Sequence, residues 1–327
     1  MESTQRKSLK ILSVLFHKRT LFVIAPYVLA LLVISVSISC TDNVILQESL
    51  SVAPTSGYVS SGDIFIASGG SVATTTSPFP LHTITQWSDS GAFVRTIAAS
   101  PIATTLYFGV DLDVAGTKLY HSVEAVDRVE TVDLTTLVTT THVLDAGLSG
   151  ATMRALAMLS DGGVVAAEST TVIEKYTSAK VRVTVNFPIT VTANIMGIKR
   201  ISGDRFAVLF NGNPDNPKIY NNDGTLAATV SGLACTTNCD PAGIVELADG
   251  RFVISVQAAA SNSLELFSSS FAYIGQFYKD ATVLQSPGPL TLLKNGDILA
   301  CSTAINSCER IAVSGDVGTR VGSHAFI

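Results

Sequence analysis

The sequence has little charge, few aromatic residues and a single tryptophan. Charged residues make up 14% of the 327 residues and aromatic residues 7%, whereas an ordinary soluble domain carries about 25% charged residues. A repeat built on a tryptophan signature is excluded, because Trp87 stands alone. No stripe of basic residues offsets the net charge of −5, and an acidic surface repels a phosphate backbone. We therefore expect no nucleic-acid partner.

The sequence also lacks the motifs of common catalytic sites. It contains no glycine-rich phosphate loop, no nucleophile elbow and no pair of histidines on a zinc-binding helix. No two of the histidines after residue 39 have the spacing of a metal-binding pair: His82, His121, His142 and His324. We expect packing or surface roles for these histidines, and we predict neither a cofactor nor a metal site.

A short pattern, glycine followed by β-branched or aromatic residues, occurs six times. The glycines that open it are Gly62, Gly116, Gly162, Gly203, Gly250 and Gly296. An apolar segment precedes five of them, and β-rich runs joined by tight turns such as Asn222-Asp223-Gly224 come after. Asp-Gly between such runs indicates a hairpin, so each unit reads as four antiparallel strands. Four-stranded units of about 40–50 residues are typical of β-propeller blades, and six of them predict an all-β, six-bladed propeller over residues 51–327.

Two of the apolar segments open with proline and glycine. They read Asp240-Pro241-Ala242-Gly243-Ile244 and Ser286-Pro287-Gly288-Pro289-Leu290. These lead-ins, with the strand-turn-strand pattern, resemble the NHL-type and related six-bladed propellers. The resemblance covers residues 51–327 and implies the fold, but it implies no catalytic residue.

Residues 1–39 have the pattern of an export signal. Residues 1–20 contain five basic residues and residues 21–39 contain no charge, and a basic start before an apolar stretch marks such a signal. The residues before Cys40 resemble the lipobox of bacterial lipoproteins. They differ from it at two positions: Ser37 stands where leucine is usual, and Ser39 stands where alanine or glycine is usual. In that family the cysteine becomes the lipid-modified N-terminus, so the resemblance implies lipidation of Cys40 and a membrane partner through that anchor.

Two alternatives remain for the N-terminal segment. The 19 apolar residues are close to the ~20 that span a bilayer as a helix, so residues 1–39 also fit an uncleaved membrane anchor; plain secretion is the third reading. All three place the propeller outside the cytoplasm. The predicted organisation is a signal peptide or hydrophobic anchor helix over 1–39, a lipidated tether over 40–50 and the propeller over 51–327, at the outer membrane or periplasmic face of a bacterium.

Five cysteines support this assignment. Lipidation of Cys40 leaves four, which form two local pairs, Cys235 with Cys239 and Cys301 with Cys308. An exported chain with an even number of remaining cysteines favours disulfides, and the local pairing is the best on geometry. The alternative for the first pair is a metal site, which lacks further ligands nearby.

Two loops stand out at the end of the ring where the second strand of a blade leads to the third. One spans residues 69–81 and includes Thr75 and Phe79; the other includes Asn211, Asn213 and Asp215. Variable loops on a rigid scaffold are a common binding design, so we predict a binding face there, although tolerated insertions have the same appearance. Alternating oxygen ligands in the second loop also fit a weak calcium site.

Two functions therefore compete. The first is a non-enzymatic binding or scaffold module for a protein or carbohydrate partner. The second is a metal-dependent hydrolase or lyase, like the lactonases among six-bladed propellers, which acts in the central channel. Acids at the channel mouth are the candidates for the second function: Asp111, Asp113, Glu168 and Glu246. The first function is favoured because the predicted innermost strands are mostly apolar.

Overall fold

Each of the six sheets is built from four consecutive, antiparallel strands. The computed structural model describes residues 44–48, 63–68, 83–99, 107–113, 115–123, 128–144, 155–211, 216–235, 239–257, 262–302 and 307–324. Its first strands, one from each sheet, pack side by side in a closed ring. The chain is therefore an all-β, six-bladed propeller, as the repeat predicts.

The first three blades contain twelve of the strands. They are β1 (Val44–Glu48), β2 (Ile64–Ser68), β3 (Thr83–Trp87), β4 (Phe93–Ala99), β5 (Tyr107–Leu112), β6 (Lys118–Val123), β7 (Arg128–Asp133), β8 (Thr139–Leu144), β9 (Leu156–Met158), β10 (Val164–Ala167), β11 (Val172–Tyr176) and β12 (Ile189–Thr190).

The last three blades contain the other twelve described strands. They are β13 (Asn194–Ile201), β14 (Arg205–Asn211), β15 (Lys218–Asn221), β16 (Leu226–Thr229), β17 (Pro241–Glu246), β18 (Phe252–Val256), β19 (Ser263–Phe267), β20 (Tyr273–Tyr278), β21 (Pro287–Leu292), β22 (Ile298–Ser302), β23 (Ser307–Ser314) and β24 (Val317–His324).

The repeated glycine closes the turn between the first and second strands. Gly162 and Gly250 have φ values of 77° and 82°, a left-handed conformation that glycine adopts without the Cβ clash of other residues. Their N–H groups donate to the carbonyls of Leu159 and Leu247 at 3.1 and 2.9 Å. The repeat is visible in the sequence because the same turn needs the same residue in blades two to six.

The first blade begins earlier than the sequence pattern suggests. Its innermost strand is β1, Val44–Glu48, which pairs antiparallel with β2. This strand lies inside residues 40–50, the stretch predicted as a tether, and before the predicted boundary at residue 51. Cys40 and the predicted hydrophobic helix over residues 1–39 lie outside the described residues. No helix in the described ranges is long and apolar enough to cross a bilayer.

The hydrophobic core lies between the blades, in seams where neighbouring sheets face each other. Phe65 of blade one packs with Leu119 of blade two, and Phe206 of blade four packs with Ile173 of blade three. Two further seams are also built mainly from Val, Ile, Leu and Phe, and the seam between blades two and three contains Tyr120, Met158 and Tyr176 beside Val and Leu. Since both faces of each sheet are covered by a neighbour, no blade is stable without the ring.

The ring closes between blade six and blade one by side-chain packing. Neither blade borrows a strand from the other, because β1–β4 and β21–β24 are each consecutive. The closing seam contains Ile64, Ile66, Trp87, Leu293, Leu299, Cys301 and Cys308. Trp87, the single tryptophan, is 1% exposed there, and its indole Nε1 donates to Thr85 Oγ1 at 2.8 Å.

Both predicted disulfides are present. Cys235 bonds to Cys239 in the connection that enters blade five, and Cys301 bonds to Cys308 across β22 and β23. Cys301 and Cys308 are directly opposite each other in the antiparallel register, so the bond links two strands of the closing seam.

Candidate functional site

The two ends of the ring differ in their connections. At one end lie the glycine turns between first and second strands and the hairpin turns between third and fourth strands; we call this the turn end. At the other, the loop end, lie the connections from second to third strands and from blade to blade. Of the predicted binding-face residues, Asn211 ends β14 at the loop end and is exposed. Thr75, Phe79, Asn213 and Asp215 lie outside the described residues.

The predicted channel acids take part in bonds that join neighbouring blades or close turns. Asp111 is buried, and its carboxylate accepts the N–H of Met158 in blade three at 2.7 Å. Burial raises the pKa of Asp111, and the nearby charges of Lys199 and Arg200 oppose that rise. Glu246 of blade five accepts the N–H of Ser202 in blade four at 2.7 Å.

The other two predicted acids also lack the geometry of a metal site. Asp113 accepts the N–H and hydroxyl of Thr117 at 2.7 and 2.8 Å, which closes the glycine turn of its blade. Glu168 is buried at the end of the second strand of blade three. In the part of the chain that the structure describes, no three acidic, histidine or cysteine side chains are placed to hold a metal ion.

A set of buried glutamates, which the sequence patterns did not single out, recurs in the third strands. Glu130, Glu174, Glu265 and Glu309 are at most 8% exposed. They occupy equivalent registers, opposite His121, Ala166, Ile254 and Ala300 of the second strands. The repeated sequence signal is a single glutamate inside each of these third strands.

Each of these glutamates has a partner within or beside its own blade. Glu174 forms a bidentate pair with Arg182, and Arg320 Nε donates to Glu309 Oε2 at 2.8 Å. Glu265 accepts the N–H of Ala234 at 2.9 Å. Glu130 pairs with Arg128. These acids are engaged in ion pairs and hydrogen bonds within the scaffold.

A cleft of about 490 Å³ lies between blades two and three at the turn end. We call it the blade 2–3 cleft. It is lined by strands β6, β7 and β8 of blade two and by the hairpin turn of blade three. Its lining residues are Lys118, Tyr120, Thr131, Asp133, Thr136, Val138, Thr140, His142, Ser178 and Lys180. Ligand sites commonly measure about 300–1,000 Å³, so the cleft has the size of a small-molecule site.

His142 forms part of the wall of this cleft and is 7% exposed. Its ring centroid lies 4.9 Å from that of Tyr120 in an edge-to-face arrangement. Its Nε2 is buried and has no hydrogen-bond partner, and an unpartnered buried polar atom costs about 1–3 kcal/mol. Burial, with smaller contributions from Lys180 and Lys118, lowers the pKa of His142 to about 4. The imidazole is therefore neutral at physiological pH.

The charged groups of the cleft are two lysines and one aspartate. Lys180 has a φ of 66° at the turn position that glycine occupies in other blades, such as Gly224 with a φ of 88°. Its Nζ donates to the carbonyl of Thr141 at 3.2 Å. Lys118 is exposed at the start of β6. The carboxylate of Asp133 accepts the backbone N–H groups of Thr135 and Thr136, in the turn after β7.

The remaining polar groups of the cleft are neutral hydroxyls. Burial raises the pKa of Tyr120, and the charge of Asp113 raises it further, so the phenol keeps its proton.

Hydrogen bonds to the backbone N–H groups of Thr136 and Thr135 lower the pKa of Asp133, so this carboxylate stays negative. The cleft thus offers two positive charges, one negative charge and several hydroxyls to a ligand.

Sequence patterns did not point to this cleft. The sequence predicts a packing or surface role for His142, and Asn211, the described residue of the predicted binding loops, lies at the opposite end of the ring. Lys180 and His142 are brought together only by the packing of blade three against blade two. One signal was present in the sequence: a lysine at the hairpin-turn position where Gly91 and Gly224 stand in blades one and four.

Comparison with known proteins identifies the fold and no family. No protein-family model and no curated protein matches the chain. Among solved structures, a streptogramin B lyase has a TM-score of 0.63 and 14% identity, over 88% of this chain and 84% of that one. Virginiamycin B lyase from Staphylococcus aureus has a TM-score of 0.61 and 12% identity, over 87% and 86% of the two chains. A chain of a nidogen/laminin complex has a TM-score of 0.56 and 14% identity, over 80% and 89%.

Proposed function

We propose that the chain is an exported, membrane-tethered propeller that binds a ligand without converting it. The observation that carries this proposal is the blade 2–3 cleft, which combines ligand-sized volume, polar groups and a buried imidazole Nε2 without a partner. A rigid propeller suits such a role, because the ring sets the positions of strands β6, β7 and β8, which form most of the cleft wall.

The engagement of the described acids supports binding over catalysis. A hydrolase or lyase needs an acid, a base or a metal ligand that is free to act on substrate. Asp111, Asp113 and Glu246 are each occupied by backbone N–H groups. Two of the structural neighbours are lyases, but at 12–14% identity they support the fold and carry no residue across.

The disulfides support export. Two disulfides persist where the environment is oxidising, outside the cytoplasm, and are rare inside it. Together with the uncharged stretch at residues 21–39 and the lipobox-like residues before Cys40, they favour a bacterial lipoprotein attached to a membrane through Cys40. The proline–glycine lead-ins lie at the start of β17 and β21, and we keep the NHL-like class as part of the proposal.

Binding is tested by screening the full chain, purified in detergent, against small metabolites and oligosaccharides. Thermal unfolding identifies compounds that stabilise it, because a ligand that binds only the folded state raises its stability. NMR of each stabilising compound after long incubation then reports whether it is changed. We expect at least one stabilising compound, recovered intact. A compound that is converted to product would contradict a binding-only role.

Tethering is tested by incorporation of a labelled fatty acid in a bacterial host. We expect label on the wild-type chain and on the Thr41→Ala control, and none on Cys40→Ala. The Cys40→Ala chain should leave the membrane fraction, unless residues 1–39 remain as an anchor. Equal labelling of the wild type and Cys40→Ala would refute lipidation at Cys40.

A further inference from the structure

Resting on the proposed binding function, we infer that the blade 2–3 cleft takes a small polyol that carries one carboxylate, of the class of sugar acids. Its carboxylate is held by Lys118 and Lys180, and one of its hydroxyls bonds to His142. The inference comes from the charge, the hydroxyl content and the size of this cleft.

The charge of the lining favours a monoanion. Lys118 and Lys180 contribute two positive charges and Asp133 one negative charge, so the lining residues leave one positive charge in excess. The carboxylate of Asp133 is turned toward the backbone of its own hairpin by the N–H groups of Thr135 and Thr136. A ligand carboxylate therefore finds two ammonium groups, and hydrogen bonds between ionised partners are about twice as strong as neutral ones.

The rest of the lining favours a hydroxyl-bearing body. Five hydroxyl side chains line the cleft: Tyr120, Thr131, Thr136, Thr140 and Ser178. A hydroxyl both donates and accepts, so these groups suit a ligand that presents alternating donors and acceptors. Thr136 already bonds to Asp133 and to the N–H of Val138; an apolar ligand would cover the other hydroxyls, which disfavours it.

His142 supplies a buried group that needs a partner. Its Nε2 has none in the described residues, and its neutral imidazole both donates and accepts one hydrogen bond. Nε2 has less than 1 Å² of exposed surface, so a ligand hydroxyl becomes its partner when the neighbouring wall side chains shift to admit it. Tyr120, which packs against the imidazole edge to face, holds the ring in place.

Lys180 occupies a position that suits glycine better. Its φ of 66° is a conformation that side chains with a Cβ adopt at a cost. The lysine at this turn reaches over the cleft, and its Nζ keeps two N–H groups after the bond to Thr141. A Lys180→Gly variant should therefore fold at least as stably as the wild type while its affinity falls.

The test is calorimetric titration of the full chain in detergent at neutral pH with three probes: glucuronate, glucose and inorganic sulfate. Glucuronate and glucose share a ring and differ in one carboxylate. We expect glucuronate to bind at least about tenfold more tightly than either of the others, a difference of the size that one charged hydrogen bond supplies.

Variants locate the site. Lys118→Met and Lys180→Gly should each weaken glucuronate binding by about tenfold. The matched control is Lys294→Met, which removes an exposed lysine from a glycine turn of blade six at the same end of the ring. His142→Phe keeps a ring against Tyr120 and removes Nε2, so it should weaken binding several-fold without loss of thermal stability.

The contrary outcomes separate this inference from the proposed function. Equal affinity for glucuronate and glucose, or for glucuronate and sulfate, would overturn the sugar-acid assignment. Unchanged binding in Lys118→Met, Lys180→Gly and His142→Phe would place the ligand elsewhere and overturn the cleft. If glucuronate does not bind but another compound of the screen does, the inference fails and the binding function stands. If glucuronate is consumed, the binding-only function fails.

Discussion

At the scale of single residues, two buried histidines control how the fold responds to acid. His121 is completely buried, and this burial lowers its pKa to about 3. Because this imidazole is neutral, the 3.5 Å contact between its Nε2 and Glu130 Oε2 is not an ion pair. His142, which faces Lys118 and Lys180, has its pKa lowered to about 4.

Acid should therefore destabilise the protein through both groups. Their ordinary pKa is 6.5, so between pH 6.5 and about 4 the unfolded chain binds protons that the folded chain does not. The free energy of unfolding then falls as the pH falls, by at most about 1.4 kcal/mol per pH unit for each group. Denaturant unfolding at several pH values measures this slope.

The variant His142→Phe isolates one of the two histidines. It should be as stable as the wild type or more stable at neutral pH, because it removes an unpartnered nitrogen. It should also lose stability less steeply below pH 6.5. An identical slope in the two proteins would mean that His142 titrates in the folded state as it does in the unfolded chain.

At the scale of strands, glycine lets the innermost strands approach one another. In blades two, four, five and six the first strand has a register shift at or beside a glycine. At Gly243, an added Cβ would lie 2.7 Å from the carbonyl oxygen of Gly288 and 2.7 Å from the N of Leu290 in blade six. At Gly109 it would lie 2.5 Å from the N of Leu156 in blade three. The contacts are with backbone, so no rotamer change relieves them.

Gly243→Ala should lower the free energy of unfolding by about 1–3 kcal/mol, as an overpacked interior does. The matched control is Gly275→Ala in β20 of the same blade, where an added Cβ meets nothing within 4 Å; its effect should stay within about 0.5 kcal/mol. Chemical denaturation of both variants measures the difference. Equal effects would show that blades five and six do not approach as closely as described.

The buried glutamates of the third strands make a second prediction at this scale. Glu174 is fully buried while its partner Arg182 is partly exposed. Arg182→Met leaves the carboxylate without its partner and should cost about 1–3 kcal/mol, the range for an unsatisfied buried group. The double variant Glu174→Gln with Arg182→Met should recover part of that loss, because a neutral amide is less costly to bury. No recovery would indicate that the arginine stabilises through packing alone.

The strands show which features are readable from sequence. Local patterns predict the first strands of blades two to six, the glycine turns and the hairpins. Each of these elements depends on residues within a few positions of one another. β1 was missed because it ends at Glu48, far from Gly62, whereas the other first strands end just before the glycine of their blade. The blade 2–3 cleft was missed because Lys118, His142 and Lys180 share no local pattern, and only the packing of two blades brings them together.

At the scale of the whole molecule, the ring closes at the seam between blades six and one, where the two blades exchange no strand and are joined by side-chain packing. Trp87, Leu299 and the Cys301–Cys308 disulfide lie together in this seam. A double variant with alanine at both cysteines should lose about 2 kcal/mol, the low end for a short loop. It should also make Trp87 more accessible to a soluble quencher.

The other disulfide supplies the control for that variant. Replacement of Cys235 and Cys239 by alanine removes a disulfide that lies outside the closing seam. The quenching of Trp87 should therefore not change. Equal quenching in both double variants would show that Cys301–Cys308 does not stabilise the closing seam. Because the chain has one tryptophan, the signal needs no further labelling.

The proposed location unites these features: a closed ring with two disulfides and a ligand cleft, tethered outside the cytoplasm by Cys40. The most direct test is the intact mass of the protein from its host's membranes, after alkylation with and without reduction. We predict a chain that starts at Cys40 and carries acyl groups, with no alkylated cysteine before reduction and four after it. A chain that retains residues 1–39, or that is alkylated at its cysteines without reduction, would contradict the account.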